Sequence, residues 1–221
     1  MLGVDLFPLY LSLKVASLAT AISFVIGLLL AWILARCEFP GRGLLSALVS
    51  LPIVLPPTVL GYYLLVAIGR QSPLGRLLEN VFGVTLVFTW EAAVLASCLV
   101  SIPLLVRSAQ ASLESVDRSL ENAARTLGRS DLAVFITVTV PLAWRGILAG
   151  TGLAFARALG EFGATLMVAG NIPGQTQTMP VAIYDAVQSG DMVLANILVA
   201  IVTVVALAIL ILLGRTAKLG G

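Results

Sequence analysis

The sequence predicts an all-α integral membrane protein with five transmembrane helices, folded as a single domain over residues 1–221. Hydrophobic residues make up 59% of the chain and charged residues only 11%, whereas soluble domains carry about 25% charged residues. The mean hydropathy is +1.06. Long apolar segments alternate with short polar connectors, and the sequence contains no series of hairpin-like strands, so we expect the apolar segments to be helices.

Each of the five apolar segments is long enough to cross a bilayer as a helix, which takes about 20 residues. The first is too long for the core of a signal peptide and follows no basic leader, so we expect it to be retained. The connectors Arg36–Gly43 and Arg70–Gly83 are predicted to be short polar loops, and a short surface helix is predicted over Val181–Asp191. In order, the predicted spans are Leu9–Ala35, Leu44–Gly69, Val84–Val106, Leu142–Ala169 and Met192–Leu213.

The second span contains three prolines, Pro52, Pro56 and Pro57. Proline lacks the backbone donor and clashes with the preceding turn, so we expect this span to bend. Transporters place such helix breaks beside their pathways, and a passive kink is the alternative. Pro56, Pro57 and the adjacent Thr58 are therefore candidate pathway or gate residues.

The fourth span contains two charged residues, Arg157 and Glu161. Their spacing of four places them on one face of a helix, close enough to form an ion pair. A charge at bilayer depth is costly, so such residues belong either to a pathway or to a neutralised pair. Both residues are candidates for the pathway or its gate, and a purely structural pair is the alternative.

The loop Asn171–Pro180 follows the fourth span and is rich in amides and hydroxyls without any charge. Its composition suits either a plain turn or a surface that receives a partner. The candidate residues of this loop are Asn171, Gln175, Thr176 and Gln177.

The only long hydrophilic stretch is Arg107–Pro141, which we call the polar block. A short helix is predicted around Ala123 and Ala124, capped by Ser119 and ended by Gly128. A second helix is predicted to begin at Ser130 and to end before the proline. Two short helices bent at a glycine form a compact projection outside the membrane.

The distribution of Lys and Arg predicts the orientation of the chain. One side holds three of these residues, Lys14, Arg70 and Arg76. The other side holds nine, in the first connector, in the polar block, near the start of the fourth span and after the fifth: Arg36, Arg42, Arg107, Arg118, Arg125, Arg129, Arg145, Arg215 and Lys218. The positive-inside rule therefore places the amino terminus outside and both the polar block and the carboxyl terminus in the cytoplasm.

Chemistry within this chain is not indicated by any motif. It has no phosphate-binding Gly-x-x-x-x-Gly-Lys loop and no His, so we expect neither a nucleotide site nor a Ser-His-Asp set. Cys37 and Cys98 fall at a helix end and inside a span, and suggest neither a disulfide nor a metal site. We therefore expect no cofactor in this chain.

The polar block resembles the cytoplasmic loop with which permeases of ATP-binding-cassette (ABC) importers dock into their ATPase subunit. The family pattern is Glu-Ala-Ala, three residues, Gly, and Pro about a dozen residues further on. Asn122 stands at the acidic position of this sequence, and Glu121 lies one place earlier. The resemblance implies that the ATPase-coupling residues are Glu121, Asn122, Ala123, Ala124, Gly128 and Pro141.

Further stretches look like the membrane subunit of molybdate importers, and the resemblance covers nearly the whole chain from Ser12 onward. The three stretches are LPIVLPPTVLGY (51–62), FARALGEFGAT (155–165) and NIPGQTQTMP (171–180). The resemblance implies a type I importer permease that passes molybdate, and also tungstate, into the cytoplasm by alternating access. It also implies an inner-membrane homodimer, two ATPase subunits that hold ATP and Mg²⁺, an extracytoplasmic molybdate-binding protein and no nucleic acid.

Other function classes stay open at this stage. Sulfate or thiosulfate importer permeases share much of the same pattern. A secondary anion carrier that uses Glu161 as its coupling group is a second alternative, although five spans without an inverted repeat argue against it. A membrane scaffold that transports nothing is a third.

Overall fold

The computed structural model describes residues 5–218, which form eleven α-helices and one π-helical segment and, within this range, no strand. The predicted locations of the two chain ends lie outside the described residues. The elements are α1 Phe7–Arg36, α2 Arg42–Val54, α3 Pro57–Ile68, α4 Pro73–Phe82, α5 Trp90–Glu114, α6 Arg118–Thr126, α7 Asp131–Val134, the π-helical segment Phe135–Thr139, α8 Val140–Leu159, α9 Gly163–Ala169, α10 Met179–Gln188 and α11 Met192–Lys218.

The core lies where α1, α5 and α8 pack against one another. The hydroxyls of Ser23 on α1 and Ser101 on α5 are 2.9 Å apart, and Ser108 of α5 donates to the Gly146 carbonyl of α8 at 2.8 Å. A Cβ added at Gly27 would lie only 2.7 Å from a side chain of α5. Lipid is as apolar as a leucine side chain, so close contacts between small residues and interhelical hydrogen bonds drive this association.

Contacts at the two ends of α1 fix the direction of the first three spans. The Lys14 ammonium lies 3.4 Å from the centroid of the Trp90 ring, so α1 and α5 begin at the same end of the molecule, which we call the Lys14 end. At the other end, the Arg36 end, Arg42 lies 3.3 Å from Glu114 near the end of α5. Residues 37–89 must therefore return from the Arg36 end to the Lys14 end, and the pair α2–α3 makes this crossing.

The last two crossings follow in the same way. The backbone N–H of Met179, at the start of α10, donates to the Ser12 hydroxyl at 2.8 Å, which places α10 at the Lys14 end. The helix from the polar block through α8 therefore crosses to that end, and α11 crosses back. Four helices among the described residues are long and apolar enough to span alone, and α2–α3 is the fifth span, so the predicted number is confirmed.

The second span is broken more sharply than its prolines predict. The axes of α2 and α3 differ by 115°, and the break falls at Leu55 and Pro56. Pro57 occupies the first turn of α3, where its missing donor costs nothing. The helix α2 buries none of its residues within the chain, whereas α3 turns inward and packs against α9.

The fourth span begins earlier than predicted and is also broken. The elements α7, the π-helical segment and α8 form one continuous helix over Asp131–Leu159, so the prediction of a helix that ends before Pro141 is wrong. Within it the Val140 N–H donates to the Phe135 carbonyl, five residues back. The wider π turn gives room to a proline ring that would clash in an α-helix. The predicted span Leu142–Ala169 is thus two helices, α8 and α9, separated at residues 160–162.

Two other boundaries differ from the prediction. The Thr89 hydroxyl accepts a hydrogen bond from the Ala92 N–H at 3.3 Å, so α5 begins at Trp90 rather than Val84 and then continues into the polar block. The predicted polar loop Arg70–Gly83 contains the ten-residue helix α4. Its cap, the Ser72 hydroxyl, accepts from the Gly75 N–H at 2.8 Å.

Candidate functional site

The polar block contains the short helix α6 and the turn at Gly128 that the sequence predicts, but the cap of α6 differs and the second predicted helix is the start of the fourth span. The carboxylate of Asp117, not the Ser119 hydroxyl, accepts the hydrogen bond at the start of α6, from the Ser119 N–H at 2.8 Å. This hydrogen bond lowers the pKa of Asp117. The cap is therefore fully present above the ordinary carboxyl pKa and is lost as the pH falls through the lowered one. Gly128 ends the turn with φ of +82°, a conformation that favours glycine.

The exposed face of α6 carries several of the predicted coupling residues. Asn122 and Ala123 are exposed, and Ala124 is half-buried. Leu127 and Leu132, on either side of the turn, are 85% and 68% exposed. These two leucines flank the turn at Gly128 and are not among the residues that the sequence predicts for docking.

Glu121 does not belong to that exposed face. The residue is 3% exposed, and its carboxylate lies 2.7 Å from the guanidinium of Arg36, at the end of α1. The hydroxyl of Thr139, in the π-helical segment, donates to the same oxygen at 2.8 Å. Neither partner can be predicted from the local sequence, because Arg36 is 85 positions away and because the position of Thr139 depends on a π turn.

Pro141 lies inside the continuous helix and not at its end. It occupies the first turn of α8, directly after the π-helical segment that contains Thr139. It therefore lies beyond the turn at Gly128, in the fourth span, and its part in ATPase coupling stays a prediction.

The candidate pathway residues meet at the two helix breaks. A Cβ added at Gly163, the first residue of α9, would lie 3.0 Å from the side chain of Pro57 and 3.5 Å from the Thr58 nitrogen. A Cβ at Gly61 would lie 2.6 Å from the Met167 side chain, so α3 and α9 approach as closely as glycine permits. The three candidates Pro56, Pro57 and Thr58 are exposed, at the break before α3 and in its first turn.

The other pathway candidates lie beside the second break. Arg157 and Glu161 approach to 2.7 Å, as their spacing predicts, although the N–H group is not directed at the oxygen as in a hydrogen bond. The second carboxylate oxygen of Glu161 accepts from the Ala164 N–H at 2.7 Å and so caps α9. Glu161 thus joins α8 to α9 across residues 160–162.

The predicted outer loop is only partly accessible. Gln175 and Asn171 are exposed, but Thr176 and Gln177 are buried and hold the loop together. The Ile172 N–H donates to the Thr176 hydroxyl at 3.2 Å, and Gln177 donates to the Asn171 side chain at 2.9 Å. Thr176 and Gln177 therefore hold the loop in shape, and their assignment as outer-loop candidates stays a prediction.

The loop borders a recess at the Lys14 end of about 380 Å³. Lys14, Trp90, Glu91 and Gln175 contribute to its wall. Among the described residues, no group of three or more His, Cys, Asp or Glu side chains is placed to hold a metal ion.

These features define a class of protein: a membrane subunit with broken helices and a polar projection at one end. The chain belongs to the family of binding-protein-dependent transport system inner membrane components, whose family model matches residues 23–218. It is therefore a multi-pass inner-membrane permease of the ABC transporter class. Its fold is similar to that of a bacterial ABC transporter involved in the import of the acidic polysaccharide alginate, with a TM-score of 0.79, 15% identity, and coverage of 99% of this chain and 80% of the other.

Two relatives have names that specify what they transport. The chain is 52% identical over 179 residues to the molybdenum transport system permease protein ModB of Escherichia coli strain K12, covering 81% of this chain and 78% of that one. It is 36% identical over 203 residues to a probable sulfate transport system permease protein of Chlorella vulgaris, covering 92% and 76%.

Proposed function

We propose that this chain is the membrane subunit through which an ABC importer passes molybdate into the cytoplasm by alternating access. The observation that carries the proposal is the 52% identity to a molybdenum permease, against 36% to a sulfate permease. The sulfate alternative is therefore not favoured. Tungstate has nearly the same size and charge as molybdate, and we expect it to be transported as well.

The working importer contains two copies of this chain, two ATPase subunits and a molybdate-binding protein. ATP and Mg²⁺ bind to the ATPase subunits. The exposed face of α6 and the leucines beside Gly128 support docking of an ATPase at the Arg36 end. The excess of Lys and Arg at that end supports a cytoplasmic location for it, with the amino terminus outside. Gln175 and the recess at the Lys14 end then face the binding protein.

The pathway runs beside the two helix breaks. The break before α3 exposes non-helical backbone at Pro56, beside the exposed Pro57 and Thr58 of the first turn, and membrane proteins tolerate such backbone only next to protein or a water-filled cavity. The nearby cation Arg157 is engaged with Glu161 at 2.7 Å. A pathway without a strong anion site releases its substrate quickly, so selectivity belongs to the binding protein.

The proposal is tested by reconstituting the chain with its ATPase and binding protein in proteoliposomes and measuring anion uptake by mass spectrometry. We expect molybdate uptake that requires ATP, competition by tungstate, and no competition by a large excess of sulfate. Equal competition by sulfate would favour the sulfate permease. Uptake by the chain alone, driven by a proton gradient, would favour the secondary carrier and contradict the proposal.

A further inference from the structure

The helix α6 is attached to the rest of the chain by a charge and not by an apolar core. Among its nine residues, all of which the structure describes, Glu121 alone is buried. Its neighbour Leu120 is 49% exposed. By contrast α1 and α5 each bury a dozen or more residues against other helices. The contact made by Glu121 is therefore the main buried attachment of α6 itself.

This contact joins three elements at one carboxylate. Arg36 comes from the end of α1, Glu121 from α6, and Thr139 from the π-helical segment that leads into α8. Arg36 also reaches the Val116 carbonyl, before α6, at 3.4 Å. Arg125 lies 3.9 Å from the other oxygen of Glu121.

The turn beyond α6 is tied into the same network. Arg125 donates to the Asp131 carboxylate, at the start of α7, at 2.7 Å. The network therefore spans the bend at Gly128 and connects both α6 and α7 to α1.

Stability alone does not account for such a contact. A buried ion pair is no more stabilising than well-packed apolar residues of similar volume, because desolvation offsets the attraction. A charge-assisted hydrogen bond does fix distance and direction, whereas packed apolar surfaces slide past one another in shear motions. The ion pair at Glu121 therefore holds α6 at a fixed distance from the end of α1 and from the π-helical segment that leads into α8.

We propose that Glu121 is a positioning residue whose ion pair with Arg36 makes α6 and the adjoining ends of α1 and α8 move as one lever. The inference rests on the proposed function, in which an ATPase displaces α6 from its exposed face. That displacement then reaches α1 through Arg36 and α8 through Thr139. Asn122, at the acidic position of the family pattern, is exposed, and its side-chain oxygen accepts a hydrogen bond from Arg125 at 2.9 Å.

A matched control is available at the same end of the molecule. Arg42 and Glu114 also join two helices, α2 and α5, but lie 3.3 Å apart with side chains 40% and 43% exposed. Exposed pairs of this kind contribute little. Removing them changes the same number of charges without touching the attachment of α6.

The experiment uses the complete transporter in proteoliposomes and measures molybdate taken up per ATP hydrolysed. The variants are Glu121→Gln, Glu121→Asp, the double variant Arg36→Gln/Glu121→Gln, and the control Arg42→Gln/Glu114→Gln. The double variant strands no charge, so we expect normal assembly and ATP hydrolysis but an uptake per ATP lower by about tenfold, within the range of measured coupling effects. We expect Glu121→Asp to recover part of this loss and the control to stay within about twofold of the unmodified protein.

An unchanged uptake per ATP in the assembled double variant would contradict the proposal that this ion pair makes α6, α1 and α8 move together. So would a parallel loss of assembly and of both activities in all three Glu121 variants, because Glu121 would then only hold the fold. The unmodified transporter distinguishes the proposed function from the proposed role of Glu121. If it imports molybdate, the function holds and the variants alone test the role of Glu121. If it imports none, the proposed function fails, and the lever fails with it.

Discussion

Glu161 and Arg157 form a pair whose two members differ in their access to solvent. The Glu161 side chain is 1% exposed, and the Arg157 side chain is 33% exposed. Spacing alone treats the two residues alike, but burial separates them. A glutamine at position 161 can still accept from the Ala164 N–H and leaves an arginine that reaches solvent. A glutamine at position 157 strands a buried carboxylate.

We therefore expect Arg157→Gln to destabilise the protein by on the order of 3 kcal/mol and Glu161→Gln by clearly less, because only the first leaves a buried charge unpaired. The double variant should recover most of the loss. The measurement is the midpoint of thermal aggregation in detergent, with uptake measured in parallel. Equal losses for the two single variants would contradict this asymmetry. Recovery of stability without recovery of uptake would show that Arg157 acts on the anion.

At the scale of helices, the sequence predicts where breaks occur better than how sharp they are. Three prolines predict a bent second span, but the 115° angle depends on the packing of α3 against α9 around Gly61 and Gly163. Pro141 predicts a helix end, and the structure instead has a π turn that keeps the helix continuous. In both cases the outcome depends on contacts between residues far apart in sequence, which a local pattern does not contain.

The turn between α6 and α7 was predicted from Gly128, and it offers a test of coupling. The residue has φ of +82° with open space around it, so valine there meets backbone strain and no clash. The strain costs about 1–3 kcal/mol and shifts the turn away from its native shape. We expect Gly128→Val to insert and to retain its fold but to lose most of its transport. Ala123→Trp, on the exposed face of α6, should do the same by obstructing docking.

Gly190 supplies the matched control for this prediction. It has φ of +80° and also lies in open space, in the turn between α10 and α11. Gly190→Val therefore introduces the same strain away from the projection. We expect it to retain most of the uptake and the bound ATPase, measured by co-purification. Equal transport by the two valine variants would remove the polar block from the coupling mechanism.

At the scale of the whole molecule, the contacts define two opposite ends, the Lys14 end and the Arg36 end, but not which of them is cytoplasmic. From Lys14 to Arg36 the helix α1 rises by about 33 Å, close to the thickness of the hydrocarbon core. The side chains of Arg36, Arg42 and Glu114 gather at one end, and the recess lined by Lys14 and Gln175 lies at the other. The sequence and the structure agree that these two groups of residues lie at opposite ends. Which end is cytoplasmic is predicted by the count of Lys and Arg alone.

Labelling of single cysteines with a membrane-impermeant maleimide tests which end of the molecule is cytoplasmic. Gly43 is exposed at the Arg36 end and has room for a side chain, and Gln175 is exposed at the Lys14 end. The background is Cys37→Ser/Cys98→Ala, since Cys37 is half-buried and would react, whereas Cys98 is buried. In right-side-out vesicles we expect the Gln175→Cys variant to react at once and the Gly43→Cys variant only after permeabilisation. The reverse order would invert the orientation. Reaction of both from the same side would contradict the crossing by α2 and α3, because residues 43 and 175 would then lie at one end.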